Sequence, residues 1–233
     1  MAVELLLDAR LELGESPAWE AGAGMLYFVN IPRGEVHALH PESGQHQVVE
    51  VGESAGCLAP AGRNELVLGL RSGIWRLDIA SRTKELLCIP EKGYSQNRFN
   101  DGKCDPAGRF LAGTMDDNEQ QASGSLYSYS QAGVKTLLKG LRISNGLTWS
   151  PDRHTFYFID TPTRLVMAYD YDLESGNIAH PRPVIQVDKA LGWPDGMTSD
   201  REGMLWIAMW GGAAVTRWDP ASGRLLAAHP VPA

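Results

Sequence analysis

A polar turn, Asp105-Pro106-Ala107-Gly108, leads almost directly into an apolar pair, Phe110-Leu111. The same order of turn and apolar run occurs five times along the chain. The five runs are anchored at Leu26, Leu66, Phe110, Phe156 and Leu205, with successive spacings of 40, 44, 46 and 49 residues. Short aromatic and β-branched runs after turn residues are typical of strands that follow hairpin turns. The repeat therefore predicts an array of similar β units.

A second turn follows each apolar run, as at Pro41-Glu42-Ser43-Gly44 and Pro220-Ala221-Ser222-Gly223. Two hairpins make four strands per repeat, and about 40–50 residues is the length of one four-stranded propeller blade. No stretch of ten or more residues keeps helical apolar spacing, because Gly or Pro interrupts nearly every candidate. We predict an all-β fold, a β-propeller, with residues 1–233 forming a single domain.

The ends of the chain leave the closure of the ring open between two arrangements. Five repeats fit a five-bladed ring, or a six-bladed ring that lacks one blade. Propellers usually close when a strand from one end completes a blade at the other, and Val3 to Leu7 is the candidate for that strand. Pro230 and Pro232 disfavour a long strand within the last residues, from Ala227 to Ala233.

Composition excludes several classes of function. The 233 residues carry 21 Lys and Arg against 28 Asp and Glu, a net charge of −7, with no basic run. Nucleic acid and anionic membranes are therefore disfavoured as partners. The N-terminus has neither a cationic segment nor a long apolar one, which predicts a cytoplasmic protein. The three cysteines lack Cys-x-x-Cys spacing, and we expect buried free thiols.

One position in the repeat holds polar side chains in four of its five copies. Ten or eleven residues before the apolar anchors, the chain has Glu15, Ala55, Asn100, Asn145 and Asp195. Equivalent positions of radially arranged blades lie on a ring, so these side chains should converge on the axis. Carboxylate and amide oxygens suit Ca²⁺, Mg²⁺ or Mn²⁺, and Zn²⁺ or Fe²⁺ are also compatible. The competing interpretation is that Asn-Gly and Asp-Gly are only turn formers; their recurrence at one register favours ligands.

An ordered set of motifs along essentially the whole chain resembles the senescence-marker-protein, gluconolactonase and regucalcin-like family. The motifs are Gly14-Glu15-Ser16-Pro17-Ala18-Trp19, Asn97-Arg98-Phe99-Asn100-Asp101-Gly102-Lys103, Ala112-Gly113-Thr114-Met115, Gly124-Ser125-Leu126-Tyr127, Ser144-Asn145-Gly146-Leu147 and Pro194-Asp195-Gly196-Met197. The family consists of six-bladed propellers that hydrolyse sugar lactones with a metal ion. The resemblance thus implies that this chain supplies the first five blades and lacks the last.

By this resemblance, Glu15, Asn145 and Asp195 correspond to the ligands of one divalent metal ion: Ca²⁺, Zn²⁺, Mn²⁺, Mg²⁺ or Fe²⁺. The expected activity is metal-dependent hydrolysis of a sugar lactone to the aldonic acid, and the expected partner is the small-molecule lactone. A divalent cation polarises a carbonyl and activates water. We assign Asp195 as the general base for that water.

The resemblance also indicates residues that contact the substrate. Arg98 and Asn100 correspond to positions that bind it. In the loop after Met115 the family often places a carboxylate against the sugar hydroxyls. Here the corresponding residue is Asn118, and Asp117 or Glu119 are candidates to substitute for it.

Two other interpretations compete with a metal-dependent lactonase. The segment Gly52-Glu53-Ser54-Ala55-Gly56 satisfies the G-x-S-x-G pattern of serine hydrolases, but that elbow must join a strand to a helix, whereas a proline and a turn follow here. A non-catalytic propeller that binds calcium or a protein is the alternative from another class. Convergent oxygen ligands favour the hydrolase over a protein-binding scaffold. A protein that only binds a cation would need these ligands too, but not Arg98 or the acidic loop after Met115. The six histidines are scattered, and we expect them mostly in solvated outer turns.

Overall fold

Five antiparallel four-stranded sheets form the chain in a computed structural model that describes residues 3–232. The first blade contains β1 (Gly14–Glu20), β2 (Met25–Asn30), β3 (Glu35–His40) and β4 (Gln45–Glu50). The second contains β5 (Ala55–Gly62), β6 (Glu65–Leu70), β7 (Gly73–Asp78) and β8 (Thr83–Cys88). The third contains β9 (Asn97–Cys104), β10 (Phe110–Asp116), β11 (Gly124–Ser130) and β12 (Gly133–Leu141).

The fourth and fifth blades repeat this plan. The fourth contains β13 (Ser144–Trp149), β14 (Thr155–Asp160), β15 (Leu165–Tyr171) and β16 (Ile178–Gln186). The fifth contains β17 (Trp193–Ser199), β18 (Leu205–Trp210), β19 (Ala214–Asp219) and β20 (Arg224–Pro230). Two short 3-10 helices, Thr161–Thr163 and Lys189–Leu191, lie in connections. The predicted β-propeller of four-stranded blades is confirmed, and every apolar anchor lies in the second strand of its blade.

The hydrophobic core lies between blades. Alternate residues of a strand point to opposite faces of its sheet. A blade that lies between two other blades is buried on both faces, so its strands carry apolar residues on both faces. In β6, Leu66 and Leu68 pack in the cluster shared with the first blade, whereas Val67 packs in the cluster shared with the third. In β14, Phe156 and Phe158 pack towards the third blade, and Tyr157 packs towards the fifth. This double burial explains the near-continuous apolar runs.

Inner strands of successive blades pack against one another, β1 with β5, β5 with β9, β9 with β13 and β13 with β17. Glycines allow this approach. A Cβ atom added to Gly56 would lie 2.1 Å from the Phe99 carbonyl oxygen, and one added to Gly146 would lie 2.5 Å from that of Asp195. Within residues 3–232, no comparable contact joins β17 to β1.

One expectation for the chain ends needs correction. Val3 to Leu7 forms no strand, and Leu5 is 81% exposed. At the other end β20 ends at Pro230, so no long strand runs through the last residues, as the prolines indicated. No helix within the described range is long and apolar enough to cross a bilayer.

Candidate metal and substrate site

All five inner strands are irregular at the register position that the repeat singled out. The pairing with the second strand shifts between Glu15 and Ala18 in β1, and between Ala55 and Cys57 in β5. Corresponding shifts occur in β9, β13 and β17 at Asn100, Asn145 and Asp195. β-Bulges re-aim side chains and are frequent beside active sites. The Asn-Gly and Asp-Gly pairs are therefore bulges within strands, and the hairpin-turn interpretation is wrong.

Glu15 and Asp195 belong to one electrostatic cluster although they lie in the first and fifth blades. Burial raises the pKa of Glu15 to about 8, with further contributions from the charges of Asp195 and Asp101. Burial also raises the pKa of Asp195 to about 6, together with Asp101 and against hydrogen bonds from the Asn145 side chain and the Gly196 N–H. Carboxylates this close disfavour each other's ionisation.

Asn145 is buried and oriented by a short chain of hydrogen bonds. Its Nδ2 donates to Thr161 Oγ1 at 3.1 Å, and Thr161 Oγ1 donates to the Pro194 carbonyl oxygen at 2.8 Å. The chain connects β13 to the residue before Asp195. Since Nδ2 is engaged in this way, the amide oxygen of Asn145 stays available as a ligand.

These three side chains fit a hard divalent cation. Two carboxylates and one amide oxygen form an oxygen donor set, and a cation would offset the crowding of negative charge. Over residues 3–232, no group of three His, Cys, Asp or Glu side chains assembles as a metal site. A cation here would therefore depend on Asn145 as its third ligand.

Asn100 occupies the ring register of β9 but has a different environment. Arg98 Nη1 donates to Asn100 Oδ1 at 2.7 Å, and Asn100 Nδ2 donates to the Ser144 carbonyl oxygen at 2.9 Å. Both ends of the amide are engaged, which separates Asn100 from the three candidate ligands. Ala55, at the same register in β5, is fully buried and supplies no polar group.

The three polar candidates in the loop after β10 have different surroundings. Asp117 accepts a hydrogen bond from Arg98 Nε at 2.9 Å. Asn118 instead directs Nδ2 towards Gln96 Oε1 at 3.4 Å, and Glu119 is exposed with a φ of 58°. Three backbone N–H groups of this loop donate to the Asp116 carboxylate, which determines its path. Contact with Arg98 favours Asp117 over Asn118 and Glu119 as the carboxylate of the site.

Sequence reasoning missed two oppositely charged side chains beside the ring, Asp101 and Lys103, each of which influences the ionisation of the other. Burial raises the pKa of Asp101 and lowers that of Lys103, and each residue opposes the shift of the other. Lys103 Nζ donates to the Met197 carbonyl oxygen at 2.9 Å, connecting β9 to β17. The only signal was their position in the Asn100-Asp101-Gly102-Lys103 run, which begins in the bulge of β9.

Ser54 and His37, two further residues singled out in the sequence, lie outside the ring register. Ser54 is followed by strand β5 rather than by a helix, and its buried hydroxyl has no hydrogen-bond partner among the described residues. The nucleophile elbow is therefore absent. His37 is the buried exception among the histidines: it is 4% exposed, stacks on Phe28 and lies 2.9 Å from His46 through its Nδ1.

Residues 13–233 match the family described as the SMP-30/Gluconolactonase/LRE-like region. The chain belongs to this family. It is 36% identical to the putative sugar lactone lactonase YvrE of Bacillus subtilis (strain 168), over 100% of this chain and 80% of that protein. Membership of this family supports sugar lactone hydrolysis in general.

Solved structures of the family share the fold. A crystal structure described as a calcium-binding protein, regucalcin, from Agrobacterium tumefaciens superposes with a TM-score of 0.93 at 30% identity, covering 97% of this chain and 77% of that one. A gluconolactonase from Xanthomonas campestris superposes with a TM-score of 0.79 at 25% identity, covering 94% and 76%. The predicted family is thus confirmed.

Proposed function

We propose that this protein hydrolyses a sugar lactone to its aldonic acid in a reaction that depends on one divalent cation. The observation that carries the proposal is the grouping of Glu15, Asn145 and Asp195 at one register of three inner strands. Burial and mutual repulsion of the two carboxylates, noted above, make the group costly without a cation. Family membership supports the reaction class.

The chain's own residues have distinct roles in this reaction. A divalent cation at the three oxygens would supply Lewis acidity and lower the pKa of water. Asp195, in its ionised form, accepts the proton of the attacking water. It then returns that proton to the ring oxygen that leaves when the acyl–oxygen bond breaks.

Arg98 and Asn100 bind and orient the lactone in this proposal. Each end of the Asn100 amide already makes one hydrogen bond, and its Nδ2 keeps a second N–H for the substrate. The Arg98 side chain is 12% exposed, and its guanidinium is held by Asp117, Phe99 O and Asn100 Oδ1. Within the described residues its Nη2 atom donates to none of these groups, so its two N–H donors are free for substrate oxygens. A fixed guanidinium supplies charge-assisted hydrogen bonds with defined direction.

A cytoplasmic location and the absence of nucleic-acid partners remain predictions from the sequence.

The test is lactone hydrolysis by the purified chain, measured as proton release on a panel of aldonolactones. Protein treated with EDTA should lose activity, and one of Ca²⁺, Zn²⁺, Mn²⁺, Mg²⁺ or Fe²⁺ should restore it. Full activity in metal-free protein would contradict the role of the cation. Calcium binding without hydrolysis under any metal would instead support the non-catalytic alternative.

A further inference from the structure

A second polar cluster lies beside the proposed site, where the turn after β6 meets the loop after β10. We call it the Arg71–Asp117–Arg98 triad. Arg71 Nη2 donates to Asp117 Oδ2, and Arg98 Nε donates to Asp117 Oδ1 at 2.9 Å. Arg71 Nη1 also donates to the Ser95 carbonyl oxygen at 3.4 Å. A single carboxylate is thus shared by guanidinium groups from two blades.

The triad continues inwards to the strand that carries Asn145. Arg98 Nη1 donates to Asn100 Oδ1, and Asn100 Nδ2 donates to the carbonyl oxygen of Ser144, the residue before Asn145. Exposure falls along this path, from 40% for the Arg71 side chain to 12% for that of Arg98. Arg71 is therefore the outer end of a hydrogen-bonded chain that ends beside a candidate metal ligand.

Phe99 O and Asn100 Oδ1 hold the Nη1 side of the Arg98 guanidinium, whereas the Nε side depends on Asp117. Asp117 is 38% exposed, and exposed ion pairs contribute about 0–1 kcal/mol. Arg71 engages the second oxygen of the same carboxylate, so rotation of Asp117 breaks two charge-assisted hydrogen bonds instead of one. Networks of this kind hold their members more firmly than isolated pairs.

We propose that Arg71 is a positioning residue for the substrate, acting through Asp117 to hold Arg98 in its binding orientation. The inference rests on the proposed function, because Arg98 is the group that would contact the lactone. The triad carries one net positive charge, which suits acceptor oxygens of the lactone and the carboxylate of the aldonic acid product. The second blade, whose ring position is Ala55, contributes to the site through this residue.

The test compares Arg71→Met with Arg63→Met by steady-state kinetics and by metal titration. Arg63 is an exposed arginine of the same blade, in the turn between β5 and β6 at the other end of the strands. We expect Arg71→Met to raise KM about tenfold with kcat within about twofold, because uniform substrate binding is lost. The metal Kd should not change. Arg71→Lys should recover part of the loss, since an ammonium can still pair with Asp117.

A double-mutant cycle with Asp117→Asn tests the route of the effect. If Arg71 acts through Asp117, the double variant should show a KM increase well below the product of the two single increases. Multiplying effects would overturn the proposal. So would a KM for Arg71→Met within twofold of the wild type, or a metal Kd that weakens in step with activity, which would indicate a structural role.

Nuclear magnetic resonance of the Arg98 Nε–H group separates this inference from the proposed function. In the wild type the Nε–H proton should exchange slowly with water because Asp117 accepts it, and Arg71→Met should accelerate that exchange. If the wild type hydrolyses no lactone, the proposed function fails, and accelerated exchange would still support positioning of Arg98 by Arg71. Unchanged exchange would overturn it.

Discussion

Asp195 and Asp200 lie five residues apart, at the two ends of β17, and their environments are opposite. Burial and the charge of Asp101 raise the pKa of Asp195 to about 6. At Asp200 burial also acts to raise the pKa, but hydrogen bonds from Trp206, Arg217 and the Met204 N–H outweigh it and lower the pKa to about 2. Folding therefore disfavours the ionised form of Asp195, whereas ionised Asp200 stabilises the folded chain.

The same contrast extends around the molecule. At the turn end of the strands, aspartates accept hydrogen bonds from local N–H and hydroxyl groups, which lower their pKa values; these aspartates are Asp78, Asp152, Asp172 and Asp219. At the ring end, burial raises the pKa values of three carboxylates, Glu15, Asp101 and Asp195, and repulsion from Asp101 adds to the shifts of the other two. The turn end of the strands therefore contributes stability, while the ring end of the first, third and fifth blades retains electrostatic strain that a bound cation would relieve.

The largest expected effect is on catalysis at the ring. Asp195→Asn should lower lactone turnover by about 1000-fold or more, because it removes both the proposed base and a ligand charge. Its melting temperature should equal or exceed that of the wild type, since a crowded half-buried charge is lost. Glu174→Gln, in an exposed outer turn, is the control for loss of a carboxylate. Activity of Asp195→Asn within tenfold of the wild type would remove Asp195 from the mechanism.

A large loss of stability is expected at the turn end of the third blade. The Asp105 side chain is fully buried and accepts from Arg109 Nε at 2.6 Å and from the Tyr171 hydroxyl at 2.5 Å, which connects the third blade to the fourth. Asp105→Asn should lower the free energy of unfolding by about 3–5 kcal/mol, because it leaves a partly buried arginine unpaired.

Urea denaturation measures that loss, and Tyr171→Phe is the matched control. Tyr171→Phe removes one neutral donor and should cost only about 1–2 kcal/mol. Turnover per folded molecule should stay at the wild-type value in both variants. A cost below about 1 kcal/mol for Asp105→Asn would show that this connection between blades is not a main source of stability.

The smallest effect is expected at Asp200 and depends on pH. Its pKa of about 2 lies below the unfolded value of about 3.9, so its contribution is present above pH 4 and is lost as the pH falls towards 2. Asp200→Asn should therefore cost about 1–2 kcal/mol at pH 7 and little near pH 2. Thermal melts of both proteins across this range measure the difference. A difference that persists at pH 2 would show that ionisation of Asp200 is not its source.

The repeat predicted the blades well because each blade is specified locally. A turn such as Asp105 to Gly108 and the alternating apolar residues after it act within about 45 residues, and the same pattern recurs. Comparison of the repeats also predicted the register of Glu15, Asn145 and Asp195. It did not predict the bulges, since Asn145-Gly146 reads equally well as a turn until the approach of β17 is known.

In the loop after β10 the sequence leaves the candidates open. Asp117, Asn118 and Glu119 are adjacent polar residues without a periodic pattern, so spacing could not select one of them. The choice depends on Asp116, which accepts three backbone N–H groups and turns the chain, and on Arg71 from another blade. Val3 to Leu7 fails for a related reason, because a strand needs a partner edge and apolar sequence does not supply one.

The sequence by itself determined the number of blades, their strand order and the residues at the ring register, because these follow from local patterns that repeat. Only the tertiary structure decided which charges meet. Packing of separate blades brings together Asp195 with Asp101, Lys103 with the Met197 carbonyl, and Asp117 with Arg71. Their pKa values and hydrogen bonds depend on burial and distance, and neither quantity is encoded in the spacing along one chain.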